Sequence, residues 1–210
     1  MSNPARTDAN PRVMKGKAKK VIAVDIDPIV LENDSADECL VMTDNLIPVE
    51  DVSVDMIISD FVLEHIDDPD SFRDEVDRIL RPGGWFCART PHAFHYITCA
   101  ARLVPNKMHA AMMRYAQPDR NEIDVFPTRY RMNRLSTLRK LFGTYEDHSR
   151  VIRTKPSYSF GLKPVHWAFS AVHAIAPKPL VGALFIYLKK PETSGKPTGA
   201  PHASSVEPQS

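Results

Sequence analysis

Four short apolar runs alternate with polar, turn-rich connections in the first part of the chain. They are VIAVD (21–25), CLVMT (39–43), MIIS (56–59) and WFCART (85–90). Continuous runs of this length, rich in β-branched residues, are typical of strands buried on both faces of a parallel sheet. The pattern therefore predicts parallel strands over 21–25, 39–43, 55–60 and 85–90.

One amphipathic helix is predicted over 69–80, between the third and fourth of these strands. Asp68 can cap its start, and Pro69 occupies the first helical position, where a missing N–H costs nothing. The Pro-Gly-Gly sequence at 82–84 ends the helix. Strands alternating with a helix predict an α/β fold with a mostly parallel sheet. The buried stripe of the helix is expected to consist of Phe72, Val76, Ile79 and Leu80.

The second half of the chain has a weaker pattern. Region 92–130 contains several prolines and predicts short helices joined by loops. Asn133 is predicted to cap a helix that ends near Gly143. The remaining elements are expected to be an extended segment over 145–158, a helix over 165–176 and a last strand over 182–190.

The two ends of the chain differ in composition from its middle. Residues 1–18 are polar, contain prolines and have no periodicity, which predicts a mobile arm. Residues 191–210 have Val206 as their one large apolar side chain, so they are expected to be a disordered tail. A single domain is therefore predicted over 19–190.

The overall composition argues against several classes of protein. Lys and Arg number 27 and Asp and Glu number 26, so no strong net charge attracts the chain to nucleic acid. Its three cysteines form no C-x-x-C pair, which disfavours a disulfide framework and a metal site. The N-terminus lacks the apolar core of a secretory signal, and we expect a cytoplasmic protein. The oligomeric state stays open.

The most apolar region, 166–188, is interrupted by Pro177, Lys178 and Pro179. Each piece is too short to span a bilayer as a helix. A buried helix followed by a buried strand is the favoured interpretation. Membrane contact through 166–188, by an enzyme acting on a lipid-linked substrate, is the less favoured one.

The block from Val21 to Thr90 resembles class I S-adenosylmethionine-dependent methyltransferases of the small-molecule type, with a methyltransferase-11-like domain. VIAVDIDP resembles the family's second strand, which ends in an acidic residue, and MTDNLIP resembles the turn after the third. VDMIISDFVLEHIDDPDSFRDEVDRILRPGGWF resembles the fourth strand, the following helix and the start of the fifth strand. The resemblance implies a Rossmann-like methyltransferase sheet, mostly parallel with an antiparallel last strand at LFIYLKK, and S-adenosylmethionine as cofactor.

The resemblance implies that the first cofactor contacts lie at the end of the predicted strand 21–25, which corresponds to the family's second strand. Asp25 matches the carboxylate that accepts hydrogen bonds from the ribose hydroxyls, and Ile26 would pack on the adenine face. A simpler alternative is that Asp25 only caps the turn formed with Asp27 and Pro28.

Further contacts with the adenine are implied around residue 45. Asp44 matches the side chain that accepts from the adenine amino group, and Asn45 or Leu46 could offer a backbone N–H. The Asp44-Asn45 pair is also an ordinary turn-forming sequence.

The resemblance implies that the loop after the predicted strand 55–60 faces the reacting end of the cofactor. Asp60 and Phe61 are expected to contact it, since a sulfonium cation favours an aromatic face. Asp60 and His65 are the weak candidates for a catalytic group. Methyl transfer needs mainly alignment and desolvation, so no catalytic residue can be chosen.

The family's first strand and its glycine-rich cofactor loop have no counterpart in this sequence. Only Gly16 precedes Val21 among the eight glycines. We therefore expect an N-terminally truncated sheet. Either the predicted strands 21–25 and 55–60 pair directly, or the place between them is filled from elsewhere, or the truncated chain folds poorly. The predicted function is methyl transfer to a small-molecule acceptor, impaired by the missing loop. The alternative is a non-catalytic methyltransferase-fold remnant or binding module.

Overall fold

The computed structural model describes residues 13–43, 46–96, 98–99, 128–155 and 163–192. Most of the predicted arm, of region 92–130 and of the predicted tail lies outside these ranges.

The described strands form two sheets. They are β1 (Ile22–Asp25), β2 (Glu38–Val41), β3 (Val54–Asp60), β4 (Leu80–Pro91), β5 (Glu146–Asp147), β6 (Arg150–Arg153) and β7 (Gly182–Lys189). In the smaller sheet, β1 and β2 pair in parallel. In the larger sheet the order is β3-β4-β7-β5, and β6 also pairs with β7. β3 and β4 are parallel, whereas β7 is antiparallel to its partners β4, β5 and β6.

The predicted α/β fold, mostly parallel with an antiparallel last strand, is confirmed. All four predicted parallel strands are present, and β4 begins at Leu80, earlier than expected. The helices are α1 (Pro69–Ile79), α2 (Leu135–Leu141), α3 (Lys163–Ile175) and α4 (Lys178–Val181), with a short 3-10 helix over Pro28–Glu32. Within the described ranges, no helix combines the length and the apolar character needed to cross a membrane.

Helix α1 begins as its sequence predicts. The Asp68 carboxylate accepts from the backbone N–H groups of Asp70 and Ser71, at 3.1 and 3.2 Å. Pro69 follows at the first helical position. These bonds satisfy two of the backbone donors that a helix start leaves free, and such a cap contributes about 1 kcal/mol.

The core lies between one face of the larger sheet and helices α1 and α2. Phe86 of β4 is fully buried, and its ring lies 6.0 Å from that of Phe72 and 5.5 Å from that of Phe142. Each such apolar side chain stabilises the fold by roughly 2 kcal/mol. The predicted burial of the α1 stripe is therefore confirmed. The buried cluster also contains Leu63, Val76, Leu80, Met132, Leu138, Leu184, Ile186 and Leu188.

The opposite face of the larger sheet is exposed at β3 and half-buried at β4 and β7, which the sequence pattern did not predict. Met56 and Ile58 of β3 are 50% and 59% exposed. The prediction that this strand is buried on both faces is wrong, and β1 is likewise only half-buried. The physical reason is that no described element packs over this face of β3. In addition, β1 and β3 do not pair, and among the described strands none joins the two sheets.

Two further predictions from the second half need correction. Asn133 does not cap α2; Arg134 holds that position without a capping side-chain bond, while Asn133 is buried and bonded elsewhere. The helix predicted over 165–176 forms as α3 but is not buried, because Trp167 and Ile175 are exposed. The following strand, β7, is buried as predicted.

Candidate functional site

Asp25 stands at the carboxyl end of β1 with an exposed side chain. Its Oδ1 accepts from the backbone N–H of Asp27 at 3.0 Å, and Asp27 in turn caps the 3-10 helix by accepting from Ile29. The turn-capping alternative is therefore what the structure contains. This bond uses one carboxylate oxygen and is compatible with binding hydroxyl groups through the other.

The predicted adenine contacts near Asp25 are partly described. Ile26 and Leu46 are exposed apolar side chains, while Asp44 and Asn45 lie outside the described residues. The Leu46 N–H donates to the carbonyl oxygen of Thr43 at 2.9 Å, which closes a turn. The backbone N–H of Leu46 is thus already used within the turn and is not available to the adenine.

The chain that follows this turn is fastened to α1 by Arg78. Its guanidinium donates to both carboxylate oxygens of Glu75 and to Asp51. It also donates to the carbonyl oxygens of Ile47 and Val49, at 2.7 and 2.8 Å. Glu75 and Asp51 raise the pKa of Arg78 above its ordinary value. The segment 47–51, which directly follows Leu46, is therefore held against α1.

At the carboxyl end of β3, Asp60 is bound by Arg89, its cross-strand neighbour on β4. The two guanidinium N–H groups reach the two carboxylate oxygens at 2.6 and 2.7 Å. The Arg89 guanidinium carbon also lies 4.5 Å from the centre of the Phe61 ring. Sequence reasoning missed Arg89, because the strand register that sets it opposite Asp60 is not readable from the sequence.

Phe61 adopts a left-handed backbone conformation, with φ of 58°. Such a conformation costs a bulky residue roughly 1–3 kcal/mol and occurs where surrounding contacts hold it. Here the Phe61 N–H donates to the carbonyl oxygen of Arg89 at 2.8 Å. The structure thus brings Asp60, Phe61 and Arg89 together. With its charge already paired, Asp60 is a poor general base.

Behind this loop lies a buried polar chain that joins Glu64, Thr90 and Asn133. The Thr90 hydroxyl donates to Glu64 Oε2 at 2.8 Å, and the Asn133 amide donates to the Thr90 hydroxyl at 2.6 Å. Burial raises the pKa of Glu64, and the Thr90 hydrogen bond only partly offsets that effect. The Glu64 carbonyl oxygen accepts from the N–H groups of Arg129 and Tyr130. The arrangement fixes the loop after β3 from its buried side.

His65, the other catalytic candidate, follows Glu64 directly and is half-buried. Its N–H donates to the carbonyl oxygen of Val62 at 2.9 Å. A positive charge on His65 lowers the pKa of the Glu64 carboxyl, so the two side chains interact electrostatically.

The segment after β4 carries two buried histidines. Burial lowers the pKa of His92, with a further contribution from Arg134. Burial, His173 and His92 together lower the pKa of His95 to about 4. These imidazoles are therefore neutral near pH 7.

Comparisons with known proteins give the same picture of the fold. A family model described as a methyltransferase domain matches residues 6–88, less than half of the chain. No curated protein matches this chain.

Many solved structures of methyltransferases are similar to this chain. A Thermotoga maritima structure, described as a SAM-dependent methyltransferase and possible histamine N-methyltransferase, is 15% identical with a TM-score of 0.51; the match covers 81% of this chain and 72% of that one. At that identity the likeness shows a shared fold. A SAM-dependent methyltransferase from Aquifex aeolicus is 14% identical, with a TM-score of 0.44 and coverage of 81% and 68%. Geranyl diphosphate C-methyltransferase from Streptomyces coelicolor A3(2), in complex with S-adenosyl-L-homocysteine, is 11% identical, with a TM-score of 0.48 and coverage of 81% and 62%.

Proposed function

We propose that this chain, a class I methyltransferase by its matched domain and its fold, transfers a methyl group from S-adenosylmethionine to a small-molecule acceptor. The observation that carries the proposal is the location of Asp25 and of Asp60 with Phe61. Each stands at the carboxyl end of a parallel strand, where open α/β sheets bind their ligands.

The residues at these strand ends fit the nucleoside half of the cofactor better than its methionine half. Asp25 offers an exposed carboxylate for ribose hydroxyls, and Ile26 and Leu46 offer exposed apolar surface for the adenine. The Asp60 carboxylate is already paired with Arg89, so it is less available to the amino group of the methionine. When bound, the cofactor supplies the methyl group on its sulfonium.

The loop after β3 would contribute alignment and electrostatics. The Phe61 ring already faces one cation, the Arg89 guanidinium, in keeping with the affinity of aromatic faces for positive charge. His65 is the group best suited to take a proton from an acceptor, since Asp60 is ion-paired and Glu64 is buried and bonded to Thr90. Positioning of the acceptor is expected to supply most of the rate enhancement.

A non-catalytic binding module is the second candidate, and one specific observation favours it. In the described parts of the chain, β1 and β3 have no common strand neighbour, and no glycine directly follows β1 or β3. A chain without a glycine-rich cofactor loop lacks the backbone N–H groups that such a loop would donate to the cofactor. Each lost charged hydrogen bond costs about 1.5–3 kcal/mol. Two such losses weaken binding by roughly 10²–10⁴-fold, so we expect weak cofactor binding.

Isothermal titration of the purified chain with S-adenosylhomocysteine tests the proposal. We expect weak binding, which Asp25→Asn reduces by about tenfold or more because it removes the charged acceptor. Asn can still accept the hydrogen bond from Asp27, so this variant should fold normally. Asp34→Asn, at an exposed carboxylate before β2, is the matched control and should bind like the parent chain.

Three results would change this assignment. Low-micromolar binding that Asp25→Asn abolishes would show that the site is complete and that the impairment does not exist. Equal binding by the parent chain and Asp25→Asn would remove Asp25 from the site. A folded chain that binds no S-adenosylhomocysteine would support the non-catalytic module.

A further inference from the structure

Helix α3 exposes one continuous apolar face. Trp167 is 75% exposed, Val172 53% and Ile175 86%. At 100° per residue, the exposed side chains cover roughly 160° of the helix surface. Soluble surfaces rarely leave a face of this kind without charged residues. Besides these three, the exposed residues on this face are Ala168, Ala171 and Ala174.

The opposite face of α3 anchors the helix to the protein. Phe169 and His173, four residues apart, contact the Tyr96 ring with centroid distances of 5.9 and 5.5 Å. His173 Nδ1 donates to the carbonyl oxygen of Thr154 at 2.9 Å, because a carbonyl can only accept. Arg153 donates to the carbonyl oxygen of His173. The exposed face is therefore presented outward by a helix with defined contacts on its other side.

The charged side chains in the sequence around α3 are all basic. Residues 148–191 contain no Asp or Glu, although the whole chain has nearly equal numbers of acidic and basic residues. Lys178 is exposed and stands three residues after Ile175, and Arg153 lies at the C-terminal end of the helix. The contacts of α3 with Tyr96, Arg153 and Thr154 involve no carboxylate. The basic residues between 150 and 181 are Arg150, Arg153, Lys155, Lys163 and Lys178.

We propose that the exposed face of α3 docks onto an anionic membrane surface. Its apolar side chains would enter the boundary between headgroups and acyl chains, while Lys178 would lie against lipid phosphates. Trp167 suits this boundary, since tryptophan is enriched there. The helix would lie along the surface. An apolar face with a wholly cationic surround fits anionic lipid in charge as well as in polarity.

Docking through α3 would also bring the candidate site near the bilayer. Tyr96, on which α3 packs, follows the carboxyl end of β4, where Arg89 and Thr90 meet the loop after β3. The proposal concerns an interaction surface and does not depend on methyl transfer.

Sedimentation of the full chain with vesicles tests the proposal. We expect it to bind vesicles of phosphatidylcholine mixed with phosphatidylglycerol, and to bind phosphatidylcholine alone much more weakly. Ile175→Ser should lower the partition coefficient about tenfold, because it removes an apolar side chain that the membrane would bury. Lys178→Gln should lower it about fivefold in low salt. Ile29→Ser, at another exposed isoleucine, is the matched control and should change nothing.

A spectroscopic measurement complements sedimentation because it reports on the environment of Trp167 itself. In a Trp85→Phe background, Trp167 is the sole tryptophan, and its emission should shift to the blue on adding anionic vesicles. Circular dichroism verifies that each variant is folded. Absence of binding to anionic vesicles, or equal loss in Ile175→Ser and Ile29→Ser, would overturn the proposal. So would a dimer of the parent chain that Ile175→Ser dissociates, since the face would then bind a second copy.

Discussion

Replacing Thr90 with Val should destabilise the protein in a pH-dependent way. Thr90 is fully buried, and its hydroxyl joins Glu64 to Asn133 through two hydrogen bonds. Val keeps the shape but removes both bonds. Asn133 retains its bond to the carbonyl oxygen of Pro91, so the main loss is at Glu64. The loss depends on the charge of Glu64: about 2–4 kcal/mol when it is ionised and about 1–2 kcal/mol when it is protonated.

The sign of the pH dependence follows from the raised pKa of Glu64. Because burial favours the protonated form in the folded state, the stability that Glu64 contributes is full below its unfolded pKa of about 4.5. It is lost as the pH rises through the folded pKa. Thr90→Val removes a hydrogen bond that favours the ionised form, so it should raise that pKa further. Its destabilisation should therefore be larger near about pH 8 than near about pH 5.

Urea denaturation at the two pH values measures this effect. Thr90→Ser, which keeps the hydroxyl, should lose less stability than Thr90→Val. Thr144→Val, at an exposed threonine, is the matched control and should stay within about 0.5 kcal/mol of the parent chain. A Thr90→Val variant as stable as the control, or equally destabilised at both pH values, would refute the role assigned to this network.

Two further predictions concern charged groups. Arg78→Lys should lower the free energy of unfolding by about 1.5–3 kcal/mol, because lysine cannot reproduce the two parallel hydrogen bonds to Glu75. Arg81→Lys, at a more exposed ion pair, should lower it by less than about 1 kcal/mol. Urea titrations of the two variants measure both effects. His95 should titrate with a pKa of about 4 by NMR, identified by loss of its signal in His95→Gln. Since this pKa is lowered from about 6.5, stability from His95 should be present above that pH and disappear as the pH falls toward 4; an unshifted His95 would contradict its burial.

The fold was largely predictable because its strands and α1 have strong local signals. The apolar runs and the Asp68-Pro69 start each act within a few residues. The Pro-Gly-Gly sequence at 82–84 was expected to end α1, but the helix ends at Ile79 and these residues lie within β4. Burial was less predictable, since it depends on neighbours distant in sequence. Met56 and Ile58 have the composition of a core strand, and they are exposed because the face they occupy has no covering element among the described residues. Likewise, the apolar composition of α3 does not distinguish a buried helix from one with an open face.

The candidate site was predictable only in part, for a related reason. Asp25, Asp60 and Phe61 could be chosen because they directly follow strands. Asn133 has the sequence context of a helix cap, yet its amide is drawn to Thr90 and to the carbonyl oxygen of Pro91. The preference of asparagine for caps is worth about 1 kcal/mol, less than the cost of leaving buried polar groups unpaired. Tertiary hydrogen bonding therefore outweighed the local signal.

Arg89 and Thr90 together explain how the loop after β3 keeps its shape beside an open sheet edge. Adjacent residues of a strand point to opposite faces, so Arg89 binds Asp60 on the exposed face while Thr90 binds Glu64 on the buried one. The loop is thus held from both sides by β4, and neither contact needs a strand neighbour between β1 and β3. The other half of the site has less support, because Asp25 stands on a two-stranded sheet with no pairing to β3. Any deficit in cofactor binding should therefore arise at the β1 side, where Asp25→Asn measures it.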